Sequence, residues 1–99
     1  MLNETLCATF GATIRARRIA LGLTQQTVAA AVGWTRAEMV SLVESGDRMP
    51  NLNRIPKLAK GLVLDPAALC RFALAECYPA LYETLFGDAA PVTPGSAEK

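Results

Sequence analysis

Leu6, Phe10, Ile14, Arg17 and Leu21 recur at the three- and four-residue steps that line one face of a helix. Asn3 is placed to cap that helix and Gly22 to end it at the position where a left-handed residue is favoured. Two short amphipathic runs follow, on either side of Gly33, within "LTQQTVAAAVGWTRAEMVSLVESG". Thr24 caps the first run, which extends through Val32 and stops at Gly33. Thr35 caps the second, and Glu38, three residues on, completes the Thr-x-x-Glu pattern of a capping box. After the loop "SGDRMPN", Asn53 is the expected cap of a fourth helix, with Pro56 in a first turn where a missing amide costs little. That helix ends near Gly61. Asp65 and Pro66 open a fifth that reaches about Cys77, Pro79 interrupts after Tyr78, and "ALYETLF" forms a last short helix closed by Gly87.

No stretch alternates with period two, so no strand is expected. The chain reads as all-α, with five or six helices and short connections. Residues 1–87 form one domain in this reading, and the tail "DAAPVTPGSAEK", residues 88–99, with two prolines and little to bury, reads as disordered. There is no internal repeat and no glycine-rich phosphate loop.

Composition narrows the class. At 99 residues, 52% hydrophobic and 19% charged, the chain is globular, with one modest core. No apolar run approaches the roughly 18 residues of a membrane span. The start "MLNETLCATFG" lacks the basic and apolar regions of a secretory signal, so a cytoplasmic protein is expected. Cys7, Cys70 and Cys77 are odd in number and show no CxxC spacing, and with no histidine a zinc site would need carboxylates. They are expected to be small buried apolar side chains, with a redox switch as the alternative. Neither a metal nor a cofactor is expected. An enzyme fits poorly, because no nucleophile–base arrangement can be assigned.

The net charge of +1 is unevenly spread. Residues 1–60 hold eight basic and four acidic side chains, a balance of +4, whereas residues 61–99 hold two and five, a balance of −3. A basic first part points mildly toward a polyanion. Two short helices joined by a tight turn containing glycine form a helix-turn-helix, which lays one helix across a nucleic-acid backbone and sets the other in the major groove. In the second helix Met39, Val40, Leu42 and Val43 are expected largely inward, and Arg36, Ala37, Glu38 and Ser41 outward.

The segments "IRARRIALGLTQQTVAAAVG", "TRAEMV", "VESGDRMPNL" and "KLAKGLVLDPAAL" together resemble the Cro/CI-type (XRE) helix-turn-helix family, as in lambdoid phage repressors and Cro. The resemblance covers about Phe10 to Leu69. It implies a lambda-repressor-like DNA-binding fold, here with extra C-terminal helices, that regulates transcription, usually as a dimer. By resemblance, Gln25 contacts phosphate and supports the reading helix, and Arg18 pairs with Glu44 to join the first helix to the third. Thr35, Arg36 and Ala37 match the cap and first turn of the recognition helix. The spacing from Gly33 to Glu44 is one residue longer than the family's. Counting from Gly33 turns Arg36, Ala37 and Ser41 outward, and counting back from Glu44 turns out Ala37, Glu38 and Leu42. The capping box favours the first count, with the extra residue late in the helix.

Base reading is therefore expected from Arg36, Ala37, Glu38 and Ser41. Arg36 suits guanine, with phosphate contact as its alternative. Thr24, Gln25, Thr35, Arg48, Asn51, Asn53 and Arg54 are expected to contact the backbone, which fixes position without reading sequence. Trp34 is expected to pack at the turn, and Arg15 and Arg17 to be a solvated face. Phe72, Tyr78, Leu81, Tyr82, Leu85 and Phe86 are a heavy apolar load for two short helices and suggest a homodimer interface, with an extra core layer as the alternative. The expected function is a sequence-specific DNA-binding regulator, more a repressor than an activator, acting as a homodimer on an inverted repeat in double-stranded DNA. Its rival is an antitoxin or adaptor that works through protein contacts. No small-molecule ligand and no membrane partner are implied.

Overall fold

The computed structural model describes residues 3–87, with side chains from residue 8 onward. The expected side-chain roles of Asn3, Leu6 and Cys7, and the tail 88–99, lie outside the described residues.

The first helix, α1, spans Asn3–Ala20 and turns Phe10 and Ile14 fully inward. Gly22, at φ +73°, ends it. Gly22 N donates to Ile19 O at 3.0 Å and Leu23 N to Arg18 O at 3.0 Å, the paired bonds of a Schellman cap. Thr24 then caps α2, Gln25–Val32, its side chain accepting from Thr27 N at 3.0 Å. Gly33, at φ +94°, closes α2 and lets the chain turn.

The start of the next helix differs from the expectation. α3 spans Ala37–Ser45, with extended Arg36 as its N-cap residue and no capping side chain. The Thr35–Glu38 capping box is not formed; Thr35 lies in the bend before the helix. α3 then runs without interruption to Ser45. The additional residue between Gly33 and Glu44 therefore lies in the turn and not late in the helix. Val40, Val43 and Glu44 are buried and set the phase of α3.

Asn51, not Asn53, makes the cap in the following loop. Its side chain accepts from Asn53 N at 2.8 Å and opens a 3-10 turn, Leu52–Arg54, which leads into α4, Ile55–Gly61. The turn absorbs the residues ahead of Pro56, so Asn53 falls inside it. Asp65 caps α5, Pro66–Cys77, accepting from Ala68 N at 2.8 Å. Pro79 opens α6, Pro79–Phe86. The architecture is all-α, with six α-helices among the described residues.

One core joins α1 to α5. Phe10 and Ile14 meet Val28 and Val32 of α2, Val40 and Val43 of α3, Ile55 and Leu58 of α4, and Leu69 and Phe72 of α5. Burying each such side chain contributes about 1.5–3 kcal/mol. Trp34, Met49, Cys70 and Cys77 pack against its edge, half-buried. Cys77 Sγ donates to Met49 Sδ at 3.5 Å, and burial pushes the Cys70 thiol up from its usual range.

Two glycines are sites of close approach. A Cβ on Gly11 would stand 2.6 Å from Glu44 O and closer still to Val43 O, so α1 crosses the end of α3 with backbone against backbone. A Cβ on Gly61 would stand 2.8 Å from Ala31 Cβ, where α4 meets α2.

Candidate nucleic-acid interface

Glu44 fastens α3. It is the buried charged residue of the described core, at 7% exposure. Arg18 Nε donates to Glu44 Oε2 at 2.6 Å and Arg18 Nη2 to Oε1 at 3.1 Å, a two-pronged pair. Arg18 Nη1 also donates to Leu23 O at 3.0 Å, and Gln25 Nε2 donates to Glu44 Oε1 at 3.1 Å. One carboxylate thus ties together α1, the start of α2 and the end of α3. The bond to Glu44 raises the Arg18 guanidinium above its ordinary value, while burial opposes that shift.

Two further arginines tie helix ends. Arg54 Nη1 donates to Val32 O at 3.0 Å and so satisfies the end of α2. Arg54, expected on phosphate, is half-buried with this guanidinium nitrogen beside Gly33. Arg17, expected on a solvated face, donates from Nε to Leu62 O at 2.9 Å and from Nη2 to Val63 O at 3.0 Å. Those carbonyls belong to Leu62, the C-cap of α4, and to Val63 just beyond it, a β-branched residue held at φ +55°. Arg15 is exposed.

With Val40, Val43 and Glu44 inward, the opposite line of α3 carries Glu38, Ser41 and Leu42. Glu38 and Ser41 are exposed, and Leu42, Met39 and Ala37 are half-buried. Arg36 stands at the start of the helix, its Nη2 3.6 Å from Glu38 Oε1, with both side chains largely in solvent. Arg48, in the loop beyond α3, completes a depression of about 240 Å³ with Arg36, Glu38, Met39 and Leu42. The structure thus brings Arg36, Glu38 and Arg48 together. Thr24, Thr35, Asn51 and Asn53 are exposed near the helix starts and turns, though Thr24 and Asn51 already serve as caps. A second depression, of about 550 Å³, lies between α2 and α4 beside Lys57 and Lys60.

The comparisons with known proteins agree with this geometry. Residues 14–69 match the family described as helix-turn-helix. The chain belongs to the Cro/CI-type helix-turn-helix family. Such proteins are DNA-binding regulators. Among solved structures, this helix-turn-helix chain is similar to a crystal structure of the restriction-modification controller protein C.AhdI from Aeromonas hydrophila. The two share 35% identity over 70% of this chain and 99% of that one, with a TM-score of 0.62. No curated protein matches. The described residues contain no group of three or more His, Cys, Asp or Glu that could hold a metal ion, and no helix long and apolar enough to cross a membrane.

The apolar C-terminal residues divide into two sets. Phe72 is buried, its ring 6.3 Å from that of Phe10, and Tyr82 is buried at 8% exposure. Packing against the protomer's own helices takes these two rings off the surface, as the alternative of an extra core layer has it. Tyr78, Leu81, Leu85 and Phe86 remain exposed. Phe86 lies 4.9 Å from the Tyr82 ring and 5.2 Å below the Arg71 guanidinium.

Sequence reasoning missed Gly11 and the partners of Arg17, and it set aside the count back from Glu44 that turns Leu42 outward. Gly11 carries a signal, because a glycine inside a helix is costly unless something needs the space. Arg17 carries one too, since it stands on the line of Phe10 and Ile14, but its partners lie 45 and 46 residues away and nothing local names them.

Proposed function

We propose that this protein is a homodimeric, sequence-specific transcription regulator that represses from an inverted-repeat operator, with α3 in the major groove. The observation that carries the reading is the Glu44 network. It holds α3 at a fixed angle while leaving Arg36, Glu38, Ser41 and Leu42 outward. In this reading Arg36, Ala37, Glu38 and Ser41 face base edges. Thr24, Gln25, Thr35, Arg48, Asn51, Asn53 and Arg54 face phosphates. Exposed Tyr78, Leu81, Leu85 and Phe86 join the two protomers.

Size supports the dimer. Recognition helices meet successive major-groove faces about 34 Å apart. A protomer measuring 36 × 36 × 20 Å suits a pair with that spacing. The likeness to a restriction-modification controller makes the promoters of such genes, and of this one, the first DNA to test.

The test is selection from a random duplex pool, followed by binding across a salt series. The expected product is a palindrome. A dimer that neutralises about six to ten phosphates should lose roughly 10³–10⁵ in affinity between about 50 and 200 mM salt. If no sequence is enriched at low salt, the protein acts through protein contacts instead.

A further inference from the structure

We infer that Leu42, backed by Met39, reads the 5-methyl group of a thymine. The inference rests on the proposed DNA-binding function and names what one part of that surface selects. Leu42 lies four residues after Glu38 on the outward line of α3 and half-buried in the wall of the depression there. Its phase is set from the opposite side, by Val40, Val43 and the Glu44 network. An aliphatic side chain can neither donate nor accept a hydrogen bond, so it cannot read the polar edge of a base. The apolar feature that a standard base pair presents in the major groove is the thymine methyl.

The surroundings agree with that occupant. Arg36 and Arg48 border the depression, so two guanidinium groups flank the apolar patch on a surface meant for a polyanion. Glu38 shares the depression, and its carboxylate would repel phosphate if unopposed. Arg36 stands 3.6 Å away and offsets it. A protein partner would be expected to cover a broad apolar area. Here the apolar part is two side chains, Met39 and Leu42, set among three charged ones, a patch on the scale of a single methyl.

The experiment starts from the duplex selected by the full-length protein. Each thymine is replaced in turn by deoxyuridine, which removes the methyl and leaves every hydrogen-bonding group in place. The expected result is a loss of about fourfold at one position of each half-site, the value of one buried methyl. In the Leu42→Ala protein, thymine and uracil duplexes should bind equally, with folding checked by circular dichroism. Wild-type binding that is specific yet unchanged by every uracil substitution would overturn the inference and leave the DNA-binding reading intact. A uracil effect that persists in Leu42→Ala would overturn the assignment to Leu42. Failure to select any duplex would overturn both the inference and the reading beneath it.

Discussion

The helix pair α2–α3 and the helix pair α5–α6 are held by different physics. Side-chain hydrogen bonds from distant residues reach α2 and α3: Arg18 and Gln25 on Glu44, and Arg54 on Val32 O. Side-chain burial and rings dominate at α5–α6, where Phe72 stacks on Phe10 and Tyr82 meets Phe86. A hydrogen bond constrains direction, whereas apolar contact is rewarded roughly in proportion to area. The first fixes the angle of a helix. The second sets no direction, and Leu81 and Leu85 of α6 remain exposed.

The largest expected effect comes from breaking the directional side. Glu44→Ala would leave the Arg18 guanidinium, 13% exposed, with Leu23 O but without its carboxylate. Removing one member of such a pair typically costs about 3–5 kcal/mol. Chemical denaturation should show a much larger loss than for Glu76→Ala, on half-buried α5. Equal losses would mean that the network does not fasten α3.

Gly11→Ala ranks next. Its new methyl group would meet the carbonyls of Val43 and Glu44, which are backbone and cannot swing away. Overpacking of this kind costs about 1–3 kcal/mol. A melting point equal to or above wild type would show that α1 and α3 can part without harm.

Val63→Gly tests the seam between the two regions and carries the opposite sign. Val63 is 69% exposed and held at φ +55°, so glycine should relieve strain and lose little packing. A gain of up to about 1 kcal/mol is expected. A lower denaturation midpoint would mean that the Val63 side chain contributes more than its backbone costs.

The smallest effect on folding is expected from Leu81→Asp combined with Leu85→Asp, at exposed positions of α6. Circular dichroism should be unchanged, while sedimentation velocity should shift from dimer to monomer, because carboxylates cannot be buried unpaired cheaply. A double variant that still sediments as a dimer would move the interface away from α6.

Local chemistry made most of the elements legible. Thr24, Asp65 and Pro66, with the glycines at 22, 33 and 87, mark helix ends through backbone preferences that act over a few residues. The apolar spacing of Phe10 and Ile14, or of Val28 and Val32, needs no partner to be recognised. The family resemblance also named Arg18 and Glu44, 26 residues apart, but their distance belongs to the packed structure. The start of α3 went the other way. Thr35 and Glu38 satisfy a local rule, yet Thr35 lies in the bend and the helix begins at Ala37, with Val40, Val43 and Glu44 inward. Likewise only the tertiary structure decided that Phe72 and Tyr82 are interior, that Arg17 binds the carbonyls at the end of α4 and that Leu42 stands on the outer line of the helix. Each depends on what the rest of the chain brings alongside, and composition and spacing carry no record of that.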